Sequence, residues 1–149
     1  MEKLNLPTYS FKTKFIDGKN YIFDNFRRKY IILTPEEWVR QHFLNFLVVE
    51  KHYPKSLISV EKNLIINQNS FRADIVAYNK NAEPILLVEC KAASVKIEQT
   101  VFEQIGTYNI LLKVPYLIVT NGISHFCCKI NFLDSSYVFL KEIPDYTEL

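Results

Sequence analysis

The chain has 149 residues, enough for one domain with a buried core, and its apolar content of 48% excludes global disorder. No apolar run approaches the ~20 residues that span a bilayer, and the start of the chain lacks a signal-peptide pattern, so we expect a cytoplasmic protein without membrane contact. A formal net charge of +2 is too small to indicate nucleic-acid binding by overall charge, and any such binding must depend on a local patch.

Short strand-like runs occupy the first 33 residues. The predicted strands are Phe11–Phe15, Tyr21–Phe23 and Tyr30–Leu33, with a turn at Asp17–Asn20. A helix follows, because Thr34 can cap it, Pro35 suits the first helical position and Glu37 completes a capping box. Its apolar stripe at helical spacing consists of Val39, Phe43, Phe46 and Leu47. The Tyr53–Pro54 bond is expected to stop the helix.

Three strands are predicted after this helix. They are Leu57–Ile66, a run through Arg72–Tyr78, and Pro84–Lys91, with a turn at Asn67–Ser70 between the first two. A second helix is predicted over Ile97–Lys113. Its buried stripe is predicted to consist of Ile97, Val101, Ile105, Tyr108 and Leu112. Gly106 inside this helix costs ~1 kcal/mol relative to alanine, so we expect a close helix–sheet contact there.

The last third of the chain adds strands at Pro115–Thr120, Ser124–Ile130 and Tyr137–Leu140, the first two separated by the turn signal Asn121-Gly122. The order of helix, three strands, helix and strand predicts a mixed α/β sheet with a crossover helix. We expect one domain over residues 1–149. It would comprise an N-terminal β extension (1–33), a core (34–130) and a C-terminal strand and tail (131–149).

Two of the predicted strands are apolar but carry charged residues. Strands this apolar are expected to be buried, and charged side chains are seldom buried without a partner. Asp74 lies in the first of them, and Glu89, Cys90 and Lys91 close the next. Side chains alternate along a strand, so Glu89 and Lys91 share one face and Cys90 points to the other. If segment 79–84 turns the chain back, Asp74 comes beside Glu89. Two carboxylates and an ammonium then form a grouping suited to a hard divalent cation and a phosphodiester.

The order of elements, with Asp74 and Glu89-Cys90-Lys91, resembles the PD-(D/E)XK nuclease superfamily, whose core is αβββαβ. Gln104–Tyr108 matches the Q-x-x-x-Y motif of RecB-like nucleases and of the nuclease part of type I restriction R subunits. Leu33–Gln41 and Val114–Gly122 look like small stand-alone proteins related to the R-subunit N-terminal domain. The resemblance covers about residues 30–130. It implies a restriction-endonuclease-like αβββαβ core with a mixed sheet, here with an N-terminal β extension.

The resemblance also implies chemistry, although Ala73 stands where the superfamily name has proline. It implies a phosphodiesterase that cleaves DNA with Mg²⁺ or Mn²⁺, held by Asp74, Glu89 and the backbone carbonyl of Cys90. Lys91 would hold or help deprotonate the attacking water, or stabilise charge on the phosphate.

Three further residues are candidates for the same site. Glu37 would orient water or help hold a second metal, although simple helix capping explains it equally well and Glu36 is an alternative acid. Gln104 and Tyr108 are four residues apart on one helix face and would hydrogen-bond Lys91 or the DNA backbone. The alternative for Tyr108 is a place in the core.

Basic residues give a weak nucleic-acid signal. Arg40, Arg72 and Lys96 are candidates to line the site, and Arg27–Lys29 lies between the aromatic residues Phe26 and Tyr30. For any single one of these residues, an ordinary solvated surface is the simpler interpretation. Of the three cysteines, Cys90, Cys127 and Cys128, the first and the last are best interpreted as small buried apolar residues.

The main alternative to catalysis is a nuclease-fold module that binds DNA or a partner without cutting. A third possibility is a subunit that acts only with other restriction or repair subunits. The chain has no G-x-x-x-x-G-K-[ST] phosphate loop, so it is not expected to translocate DNA itself.

Overall fold

The N-terminal residues form a three-stranded antiparallel sheet in a computed structural model that describes residues 1–66 and 68–149, without the side chains of residues 66, 69, 108 and 111. Its strands are β1 (Thr13–Ile16), β2 (Lys19–Asp24) and β3 (Lys29–Ile32), in that spatial order. Gly18 closes the β1–β2 turn with φ +77°, a conformation that costs glycine nothing because it has no Cβ. The predicted β extension and its turn are confirmed, with strand bounds shifted by up to two residues.

The first helix, α1 (Pro35–Asn45), begins where the sequence predicts and continues as a π-helical turn over Phe46–Glu50. The Oγ1 atom of Thr34 accepts a hydrogen bond from the Glu37 backbone N–H at 3.0 Å, so the N-cap is confirmed. The Glu37 carboxylate does not complete the capping box, because arginine and glutamine side chains occupy its oxygens.

A six-stranded mixed sheet forms the larger layer. Its elements are β4 (Ile58–Ile66), β5 (Asn69–Tyr78), β6 (Pro84–Cys90), α2 (Gln99–Leu112), β7 (Tyr116–Thr120), β8 (His125–Asn131) and β9 (Ser136–Leu140). The strands lie in chain order; β6 and β7 are parallel and joined by α2, and the other neighbours are antiparallel. The predicted αβββαβ order with a crossover helix is confirmed. Of the predicted turn at 67–70, Asn67 lies outside the described residues, Gln68 is a turn residue, and Asn69 and Ser70 already belong to β5.

Alternation along β5 and β6 supplies two cores, one on each face of this sheet. Ile75 and Val88 pack in the cluster that contains α1, whereas Val76 and Leu87 pack in the cluster with Phe102 of α2. Cys90 and Cys128 are buried, as the sequence predicts, and Cys127 is buried as well; all three thiols are free. No described helix is long and apolar enough to cross a membrane.

The buried residues that the structure describes on the second helix differ from the predicted ones. Among the side chains of α2 that the structure describes, those of Phe102 and Asn109 are buried, at 3% and 1% exposure. The predicted stripe residues with described side chains are only half-buried; they are Ile97, Val101, Ile105 and Leu112. Three of these, Val101, Ile105 and Leu112, line a cavity of about 430 Å³ between the helix and the sheet, which explains their partial exposure. Gly106 makes the expected close contact, since a Cβ there would lie 2.1 Å from the Tyr137 hydroxyl oxygen of β9.

Candidate functional site

The two predicted strand carboxylates lie where β5 and β6 separate. The β5–β6 pairing ends with Ile75 opposite Val88. Extending this register by one residue sets Asp74 opposite Glu89. On the other side of β6, the Lys91 backbone N–H donates to the Thr120 carbonyl at 2.8 Å and keeps the end of β6 against β7. The structure therefore brings Asp74 and Glu89 together, as the sequence predicts.

Both oxygens of Asp74 are held by donors. The Nη2 atom of Arg40 donates to Oδ1 at 3.0 Å, and the backbone N–H of Cys90 donates to Oδ2 at 2.7 Å. Only 13% of the Asp74 side chain is exposed, so these donors compensate for its desolvation. Two donors also fix the orientation of the carboxylate, while the remaining lone pairs of its oxygens stay available to a cation.

Glu89 and Lys91 project from the same face of β6. The Nζ atom of Lys91 lies 3.6 Å from Oε1 of Glu89, and each side chain is about one-third exposed, at 32% and 28%. Burial, followed by the negative charge of Asp74, raises the pKa of Glu89 to about 7, although Lys91 opposes this rise. A carboxyl group that ionises near neutral pH beside a second carboxylate is typical of sites that bind cations or transfer protons.

Glu37 lies behind this pair and contacts arginine rather than the strand carboxylates. It accepts hydrogen bonds from Arg27 at 2.8 Å, Arg40 at 2.6 Å and Gln41 at 3.0 Å. Its side chain is 5% exposed, so it acts as a buried counter-ion that holds Arg40 in place against Asp74. The α1 acid that interacts electrostatically with Asp74 is Glu36. Burial, and then the negative charge of Asp74, raises the pKa of Glu36.

An arginine–carboxylate network supports the site, and the sequence prediction did not anticipate it. Arg27 also pairs with the buried Asp24 and, at 3.0 Å, with Glu61. Glu61 in turn pairs with Arg72 at 2.8 Å and with Arg40 at 3.4 Å, and these arginines lower its pKa despite partial burial. The spacing of Arg40 three residues after Glu37 was the signal available in the sequence, since such side chains meet on one helix face.

Several of the predicted site residues line the cavity beside α2. Glu89, Lys91, Arg72 and Gln104 all line it, so Gln104 overlooks the site from the crossover helix as expected. The side chain of Tyr108 lies outside the described part of the chain. Lys96 is exposed in the loop between β6 and α2. Arg40, predicted as a nucleic-acid contact, is buried and paired with four carboxylates, those of Glu36, Glu37, Glu61 and Asp74.

The donor set is suited to a small hard cation. Asp74 and Glu89 offer carboxylate oxygens, and the Cys90 backbone carbonyl follows directly on the same strand end. No three His, Cys, Asp or Glu side chains converge as ligands in the described residues. Mg²⁺ does not need three, because it keeps several waters and binds through one or two carboxylates. The residues present therefore fit the ion.

Comparison with known proteins agrees with this fold. A fragment described as an HsdR subunit of a type I restriction enzyme from Vibrio vulnificus YJ016 superposes with a TM-score of 0.54 at 19% sequence identity. The match covers 78% of this chain and only 24% of that fragment. No curated protein matches the chain. The family model described as the type I restriction enzyme R protein N terminus (HSDR_N) matches residues 35–144, well over half of the sequence. The chain therefore belongs to the type I restriction enzyme R protein N-terminal family.

Proposed function

We propose that this chain is a metal-dependent phosphodiesterase of the PD-(D/E)XK superfamily that cleaves DNA with Mg²⁺ or Mn²⁺. One observation carries the proposal: Asp74, Glu89 and Lys91 meet where β5 and β6 separate, with Lys91 3.6 Å from Glu89. Membership of the R protein N-terminal family supports it.

The residues of the chain have distinct tasks in this proposal. Asp74 and Glu89 bind the cation, and Arg40 and the Cys90 N–H keep the Asp74 carboxylate in one orientation. Lys91 holds the attacking water or stabilises the phosphate charge, since its ammonium lies on the same strand face as Glu89. Gln104 contacts the DNA backbone or Lys91 from the cavity wall. When bound, the ion would polarise a phosphoryl oxygen and make a nearby water more acidic.

Cleavage assays on labelled DNA test the proposal. Purified protein with Mg²⁺ or Mn²⁺ should nick or degrade DNA, and chelator should abolish the activity. Asp74→Ala, Glu89→Ala and Lys91→Ala should each remove nearly all of it. Matched controls come from the opposite end of the same strands, where Lys80→Ala and Glu83→Ala alter side chains of the turn between β5 and β6. Cleavage that survives chelator or Lys91→Ala would show that another site or a contaminant acts.

A second candidate function is a module that binds DNA or a partner without cutting. The observation in its favour is that Arg40 already donates to Asp74 at 3.0 Å, which offsets the negative charge that would attract a cation. Such a module would act alongside other restriction or repair subunits, and membership of the type I restriction enzyme R protein N-terminal family supports this context. DNA binding that is unaffected by chelator, with no cleavage under any metal, would favour this candidate.

A further inference from the structure

The outward face of the N-terminal sheet carries aromatic and basic side chains together. The register pairs Tyr21 with Ile32 and Phe23 with Tyr30, so these four side chains share one face, opposite the fully buried Ile22. Tyr30 and Ile32 are 37% and 47% exposed. We call this surface the aromatic face; it consists of Lys14, Ile16, Lys19, Tyr21, Phe23, Tyr30 and Ile32.

Two lysines, Lys14 and Lys19, lie among the aromatic rings of this face. Lys14 is opposite Tyr21 in the register, and its Nζ atom lies 3.9 Å from the centre of the Tyr30 ring. Lys19 belongs to the same face, because it lies two residues before Tyr21 on β2. Such cation–π contact keeps a flexible lysine close to the ring while its charge stays exposed.

Charge is unevenly divided along the chain. Residues 1–33 contain seven Lys and Arg against three Asp and Glu, a net charge of +4. The whole chain carries +2, so residues 34–149 carry −2. Asp24, one of the three acids, is buried and paired with Arg27, which leaves the exposed surface of the extension strongly positive. A local basic surface on a nearly neutral protein indicates an anionic partner.

The aromatic face also adjoins the candidate site. A surface depression of about 470 Å³ is lined by Tyr30 and Ile32 of the face and by Glu36 and Arg40 of α1. Arg40 in turn donates to Asp74. The depression is also lined by Arg27 and Lys29 and by the acids Glu37 and Glu61, and it is connected to the carboxylate pair through Arg40.

We propose that the aromatic face binds single-stranded DNA, with bases stacked on Tyr21, Phe23 and Tyr30 and phosphates contacted by Lys14 and Lys19. The exposed Tyr30 ring and the half-buried Tyr21 and Phe23 rings, interleaved with lysines, suit a single strand. Unpaired bases present their planes, whereas duplex bases are already stacked. The proposal rests on the proposed function for the choice of DNA as the anionic partner. It names the substrate as one with an unpaired segment.

Fluorescence anisotropy with a labelled oligothymidine, in chelator to prevent cleavage, measures this binding. Tyr21→Ala and Tyr30→Ala should each weaken it by about fivefold or more, the loss typical of one stacked base. Tyr30→Phe keeps the ring and should bind nearly as well as the original protein. Lys19→Ala should reduce the slope of log affinity against log salt by about 0.7, the value for one phosphate contact on a single strand.

Controls separate this binding from general effects. Phe132→Ala removes an exposed aromatic ring outside the face, and Lys80→Ala removes an exposed lysine; neither should change the affinity. Thermal melts check that each variant folds, and the charge reversal Lys19→Glu gives a second variant in which the rings are untouched. Duplex and RNA oligonucleotides of the same length should bind more weakly.

The outcomes distinguish this proposal from the proposed nuclease function. Loss of oligothymidine binding in Tyr21→Ala and Tyr30→Ala, with binding retained in Lys80→Ala, would support the face even if the original protein cleaves no DNA. Equal binding by the original protein and the face variants would overturn it, as would tighter binding of RNA or duplex. Loss of a dimer in the Tyr variants, without loss of DNA binding, would instead assign the face to a second copy of the chain.

Discussion

The substitution Glu89→Gln tests the electrostatics of the Asp74–Glu89 carboxylate pair through the stability of the protein. Burial and the Asp74 charge raise the pKa of Glu89 from 4.5 to about 7 in the folded protein. In the unfolded chain the group loses its proton near the ordinary value. Between these two pH values the folded state therefore binds more protons, and the free energy of unfolding falls as the pH rises. Below pH 4 the ionised form is absent from both states and no penalty remains.

The size of the effect follows from the same two values. At about 1.36 kcal/mol for each pKa unit, the ionised Glu89 costs the folded state up to about 3 kcal/mol above pH 7. The side chain is 28% exposed, so solvent screening is limited. Glutamine keeps the shape and removes the charge. Glu89→Gln should thus raise the melting temperature at pH 8 by as much as about 6–12 °C, for a domain of this size, and leave it nearly unchanged at pH 4.

Thermal or urea unfolding of both proteins in chelator, at several pH values from 4 to 8, measures this difference. Glu103→Gln is the matched control, because it makes the same change at an exposed position on α2 and should show no pH-dependent gain. A variant that is less stable than the original protein at pH 8 would refute the reasoning, since Glu89 would then act mainly as the partner of Lys91. A gain of equal size at pH 4 and pH 8 would also refute it, because it would not arise from ionisation.

Further predictions test the supporting structure. Arg40→Met should destabilise the fold by about 3–5 kcal/mol because it removes the cation that the buried Glu37 and Asp74 carboxylates share, whereas the exposed Arg28→Met should have little effect in the same urea titration. Thr34→Ala should cost about 1 kcal/mol by removing the N-cap hydrogen bond of α1, again measured by urea unfolding. Mg²⁺ at a hundredfold excess over its dissociation constant should stabilise the original protein by about 2.7 kcal/mol in thermal melts, and Glu89→Gln should lose most of that gain. Because burial raises the thiol pKa of each cysteine, a thiol reagent at pH 8 should label the native protein slowly and the unfolded protein at once; the thiols are those of Cys90, Cys127 and Cys128.

The sequence alone predicted the elements whose signals are local. The cap at Thr34, the glycine turn of the first hairpin and the apolar strands each depend on residues a few positions apart, and the structure has them close to the predicted bounds. The approach of Asp74 to Glu89 was predictable in outline, because a short turn brings two antiparallel strands side by side. The exact register was not, since a bulge between Ala77 and Tyr78 shifts it by one residue and so sets Asp74 opposite Glu89 rather than Val88.

The tertiary structure decided which charges pair and which helix side is buried. Arg40 contacts Asp74, 34 positions away, and Arg27 reaches Glu37 and Glu61 across three elements, which no spacing rule specifies. The burial of Phe102 and Asn109, instead of the predicted stripe, follows from the cavity between α2 and the sheet. Local propensity selects helices and strands, but the partners of a buried charge are set by long-range packing, and a charge is buried only where that packing supplies a counter-ion.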